Sequence, residues 1–81
     1  MLMQSVRRAK PQRPLTQREL QCMHWAAMGK TSWEISVIIG LSERTVNFHI
    51  ARVCEKFGVH RRQAAISLAI QLGLLPLKNQ I

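Results

Sequence analysis

Acidic side chains are scarce in this chain of 81 residues: four Asp and Glu stand against twelve Lys and Arg, for a formal net charge of +8. On so small a chain that imbalance implies a polyanionic partner, and DNA, RNA and an anionic membrane all qualify on charge alone. Aromatics are equally sparse. Tyr is absent and only Trp25, Trp33, Phe48 and Phe57 remain, so the core is built from aliphatic side chains, which favours packed helices over a sheet. The two cysteines, Cys22 and Cys54, form no C-x-x-C pair, which removes a zinc knuckle and a redox motif and leaves them as small apolar residues. His24, His49 and His60 do not add a recurring metal-ligand spacing, so no metal or cofactor is expected. No apolar run approaches the ~20 residues that a membrane span needs, and the N-terminus lacks the apolar stretch of a secretory signal. A reducing, cytoplasmic setting fits these absences.

The length itself allows one small domain, with no sensor, substrate pocket or cofactor domain beside it. Residues 1–14 carry Arg7, Arg8, Lys10 and Arg13 with Pro11 and Pro14 and no acid, and read as a flexible basic arm. Residues 15–75 read as the folded domain and 76–81 as a tail. Within the domain, Thr16 with Glu19 forms a capping-box spacing, and Gly29 supplies a stop, so a first helix is expected from Gln17 to Met28 with Cys22, Met23, Ala26 and Ala27 on one face. Thr31 and Glu34 repeat that spacing for a short second helix, with Trp33, Ile35, Ile38 and Ile39 as its apolar positions. Gly40-Leu41-Ser42 then makes a three-residue turn in which Leu41 faces inward and Ser42 caps a third helix starting at Glu43. That helix places Val46, Ile50, Val53 and Phe57 on a buried side and ends at Gly58. A fourth runs from Arg62 to Leu72, with Ala65, Leu68, Ala69 and Leu72 towards the core and Gly73 and Pro76 at its end. The expected fold class is all-α, a four-helix bundle containing a helix-turn-helix.

The third helix is apolar on one side and rich in donors on the other, and a helix of that kind fits the B-DNA major groove. Arg44 has the chemistry for guanine O6 and N7, Asn47 for adenine N6 and N7, and Phe48 or Ala51 for a thymine methyl, with Thr45 suited to a base or a phosphate. Lys30, Thr31, Ser32, Arg52, Lys56, Arg61 and Arg62 lie at helix ends or on the outer face, where phosphate contacts form. His49 reads either as a phosphate contact or as a packed neutral ring. On the fourth helix, Ile66 and Ile70 are spaced to form a dimer seam or to stand as ordinary surface isoleucines.

Taken in order, Leu15-Thr16-x-Arg18-Glu19, Gly29-Lys30-Thr31, Glu34-Ile35, Ser42-x-x-Thr45-Val46, Asn47-x-His49, Lys56-Phe57-x-Val59, Arg62 and Ala64-Ala65 resemble the DNA-binding domain of LuxR-type regulators over about residues 14–75. Thr31-Ser32-Trp33-Glu34-Ile35 with Ser42-Glu43-Arg44-Thr45-Val46 looks like the quorum-sensing branch that answers acyl-homoserine lactones. The resemblance implies a third helix that reads promoter DNA as a dimer, through the positions of Asn47, Phe48 and Ala51 with Arg44 and Arg52. It also implies a fourth-helix dimer contact and RNA polymerase as a further partner. In such regulators a separate N-terminal domain binds the autoinducer, so these residues are expected to be an excised piece or a regulator with the DNA-binding module alone, without a small-molecule ligand. Two positions depart from the pattern: Gln21 replaces a usual acid, and His60-Arg61 stand where a capping residue is common before the last helix. The rival reading is a protein-interaction module that pairs with full-length LuxR-type regulators and antagonises them. Enzymatic activity is set aside, because no nucleophile–base pair, metal set or phosphate-cradling loop is present.

Overall fold

The computed structural model describes residues 14–75 and 77, so the basic arm over residues 1–13, Pro76 and the rest of the tail lie outside the described residues. Among the described residues there are four helices and no strand: α1 (Gln17–Ala27), α2 (Ser32–Ile39), α3 (Glu43–Phe57) and α4 (Arg62–Gln71). Both capping boxes form. The Thr16 and Thr31 hydroxyls accept from the N–H groups of Glu19 and Glu34, and each glutamate carboxylate accepts from the backbone N–H of its threonine. These reciprocal bonds satisfy donors that a helix start leaves open. For Glu34, the Thr31 backbone N–H holds the carboxyl below its ordinary range.

The turn between α2 and α3 depends on Gly40, whose φ of 74° lies in the left-handed region and lets the N–H groups of Gly40 and Leu41 both return to the Ser36 carbonyl. Leu41 packs against the core, as its position in the turn anticipates. Ser42 then accepts from the Thr45 N–H and starts α3 in a new direction.

α3 is the centre of the packing and touches each of the other three helices. Its Val46, Ile50, Val53 and Phe57 are all buried, together with Cys22, Met23 and Ala26 of α1, Ile35 of α2, and Ala65, Ile66 and Ala69 of α4. Burial pushes the Cys22 thiol up to about 11 and raises that of Cys54 as well, so both behave as small apolar groups.

In α1 Ala27 of the expected apolar face is exposed while Cys22, Met23 and Ala26 are buried, and α2 and α4 depart further from their expected faces. α2 buries Ile35 with Ser32 and Ser36 and half-buries Ile39, while Trp33 and Ile38 stand exposed. A helix of two turns has one narrow stripe against its neighbours, and small serines fill it where α2 approaches closely. In α4 the buried arc is Ala65, Ile66 and Ala69, with Leu68 partly covered and Leu72 exposed. Ile66 is therefore a core residue, 7% exposed, and is not available for a surface seam, whereas Ile70 is 52% exposed.

The α4 start also bears out a consequence of the sequence. Arg61 is its N-cap, makes no side-chain capping bond, and no acid lies in the first turn. Open N–H groups and a cation at the positive end of the helix dipole are both unfavourable. Arg61→Asn is expected to stabilise the fold by about 1 kcal/mol, read as a rise in Tm on thermal unfolding by circular dichroism.

Candidate DNA interface

The outer face of α3 is set by the burial of the inner one. With Val46, Ile50, Val53 and Phe57 inward, helical spacing turns Arg44, Asn47, Phe48 and Ala51 outward, and all four are exposed. Phe48 is 59% exposed, with the His49 ring edge-on to it 5.7 Å away between centroids. Thr45 sits half-buried on the flank, its hydroxyl bonded to Ser42 Oγ at 2.9 Å. His49 is half-buried as well. The first three turns of α3 thus present a guanidinium, an amide, an aromatic ring and a methyl on one side. Glu55, one turn further on, pairs with Arg52 at 3.4 Å across the surface, while the exposed Glu43 opens the first turn of the helix.

Three residues expected at phosphates are committed elsewhere. Lys56 Nζ donates to Glu19 Oε1 at 2.8 Å and to the Pro14 carbonyl at 3.2 Å, and the two charged side chains are only 5% and 4% exposed. Its position on α3 directs the side chain back across α1, not out to the groove. Arg62 reaches from the start of α4 to the start of α2, donating to Ser32 Oγ at 2.8 Å and to the Lys30 carbonyl at 3.0 Å. Ser32 is buried and its hydroxyl donates a hydrogen bond to Asn47 Oδ1. Lys56, Arg62 and Ser32 are consequently internal ties rather than open phosphate ligands.

The remaining cations stay outside. Lys30 and Arg61 are exposed, Arg52 is half-exposed beside Glu55, and Thr31 is exposed with its oxygen already accepting from Glu34. Lys30 and Thr31 stand at the N-terminus of α2, and Ser42 with Thr45 at that of α3, where oriented N–H groups favour anions. No group of three or more metal-ligating side chains occurs among the described residues. No described helix is long and apolar enough to cross a membrane.

Sequence reading alone misses the two cross-helix ties, Glu19–Lys56 and Arg62–Ser32–Asn47. Their members lie 37, 30 and 15 residues apart, beyond any local spacing rule. The one usable signal was Glu19 itself, since a capping-box carboxylate has a second oxygen lone pair to offer a cation.

Comparison with known proteins agrees with this geometry. Residues 13–69 match the family described as "Bacterial regulatory proteins, luxR family". The chain is 52% identical over 67 residues to the transcriptional activator protein VanR of Vibrio anguillarum, covering 83% of this chain and 28% of VanR. It is 46% identical over 77 residues to the quorum sensing-dependent transcriptional regulator RpaR of Rhodopseudomonas palustris, covering 93% of this chain and 32% of RpaR. It therefore spans about a third or less of these relatives' length. Among solved structures, that of the transcription factor GerE superposes with a TM-score of 0.74 at 34% identity, over 82% of this chain and 100% of GerE. By its sequence, its four helices and its turn, the chain belongs to the luxR family of bacterial regulatory proteins, as a helix-turn-helix DNA-binding domain.

Proposed function

We propose that this domain binds a two-fold-symmetric promoter site as a homodimer, with the first three turns of α3 in the major groove of each half-site. One observation carries the reading: Arg44, Asn47, Phe48 and Ala51 stand exposed together on a helix whose opposite side is wholly buried. Arg44 and Asn47 supply hydrogen bonds to base edges, Phe48 and Ala51 supply apolar contact, and Thr45 borders them. Lys30, Thr31, Arg52 and Arg61, with His49 beside the groove wall, hold phosphates and fix the register. Pairing is supported by the apolar surface of Met28, Ile70 and Leu72, beside a shallow hollow lined by His24, Ala27, Met28, Ile70 and Leu75.

A competition shift assay of a palindromic site against scrambled DNA at two salt concentrations tests this. The palindrome is expected to win by several kcal/mol, with affinity falling steeply as salt rises. Asn47→Ala should lose about 1–3 kcal/mol on the palindrome and little on scrambled DNA. Arg61→Asn should flatten the salt slope by about one unit. Equal binding to both DNAs would sink the sequence-specific reading. Absence of binding, with pairing to a full-length family member, would establish the antagonist instead.

A further inference from the structure

We infer that Arg62 and Ser32 position Asn47 as a hydrogen-bond donor, so that it selects guanine over adenine; the inference rests on α3 being the helix that reads DNA. A serine hydroxyl has one proton, and a guanidinium offers donors only. Arg62 donates to one of the two acceptor sites of Ser32 Oγ, and the single Ser32 proton is donated to Asn47 Oδ1. The guanidinium is held at a second point, its other arm donating to the Lys30 carbonyl at 3.0 Å.

Turning the Asn47 amide over would bring a second set of N–H donors against Ser32 beside a fixed cation. It would also leave the proton of the Ser32 hydroxyl, on a residue only 8% exposed, without its acceptor in the protein, which costs free energy. The relay therefore points Oδ1 into the protein. Nδ2 is left on the exposed side of α3 without a partner among the described residues.

This orientation changes what the residue recognises. An asparagine that reads adenine in two-pronged fashion accepts from N6–H2 and donates to N7, which needs both amide atoms in the groove. Guanine presents two adjacent acceptors, O6 and N7, and a donor-only amide matches it. Ser32 and Arg62 are positioning residues here, and their effect falls on base preference rather than on affinity at large.

The test uses the 81-residue chain and a pool of duplex DNA with a randomised core. After enrichment, binding is measured to the selected site with each position changed singly. The position whose preference collapses in Asn47→Ala is the one Asn47 reads. We expect guanine there in the unsubstituted protein, about tenfold better than adenine, with Ser32→Ala lowering that ratio towards unity and Arg62→Gln lowering it in part. Because the ratio compares two DNAs bound by the same variant, any loss of folded protein cancels. Adenine at that position, or a ratio unchanged in both Ser32→Ala and Arg62→Gln, overturns the inference while leaving sequence-specific binding intact. So does an Asn47→Ala variant with unaltered preferences everywhere. If the unsubstituted protein enriches no sequence, the reading of α3 falls and the inference falls with it.

Discussion

Lys56→Met should cost about 3 kcal/mol of folding stability at neutral pH, which for a domain of this size lowers Tm by on the order of 10–20 °C. The reason is the asymmetry of buried ion pairs. Glu19 and Lys56 are both nearly inaccessible and 2.8 Å apart. Removing the cation leaves a buried carboxylate with the Thr16 N–H and the more distant Arg52 as its remaining support. Replacing both partners by apolar groups of similar size is expected to be far milder than replacing one.

The pH dependence fixes the sign. Burial by itself raises the Glu19 pKa, but the Lys56 hydrogen bond, the Thr16 N–H and the charges of Lys56 and Arg52 outweigh it, so the carboxyl sits below its ordinary value of 4.5. A group with a lowered folded pKa contributes stability that is present above its unfolded value and lost as pH falls through the folded one. In Lys56→Met burial is opposed only by the Thr16 N–H and the Arg52 charge, so the carboxyl titrates higher than in the unsubstituted protein. Protonation then relieves the variant, so the stability gap between the two proteins should narrow as pH falls from 7 towards 4. Urea unfolding at a series of pH values measures it. A gap that stays constant would mean that Lys56 acts through packing of its stem and not through charge.

What could be read from the sequence was what repeats over three or four residues. The capping boxes at Thr16 and Thr31, the glycine stops, the three-residue turn and the inward stripe of α3 are all local, and each is where the residues place it. Arg44, Asn47, Phe48 and Ala51 followed, because a helix with a fixed inner face has a fixed outer one. The cations were harder. Lys56 and Arg62 lie at helix positions that sequence alone treats as solvent-facing, and only the packing of α1 on α3, and the approach of the α2 and α4 starts, turn them inward. Two basic residues of this kind reduce the number of phosphate ligands that the net charge implies. α4 was misread for a related reason: its apolar residues surround most of the helix, so periodicity did not single out one face.

That ambiguity has a measurable resolution at Ile66 and Ile70. Ile66 packs in the core with Ala65 and Ala69, so Ile66→Ala should destabilise the monomer fold by about 3 kcal/mol through lost burial and the cavity left behind. Ile70 lies one turn further on and is mostly exposed, so Ile70→Glu should change stability by no more than about 0.5 kcal/mol. Under the proposed homodimer its effect falls on pairing. Two glutamates brought together at a two-fold seam repel, and an apolar contact is lost. Ile70→Glu should therefore weaken binding to a palindrome while leaving binding to a single half-site unchanged. Ile66→Ala, measured well below its melting temperature, should not separate the two DNAs in this way. Equal loss on palindrome and half-site for Ile70→Glu would remove α4 from the dimer contact and turn attention to other exposed apolar residues, Trp33 and Val37 on α2.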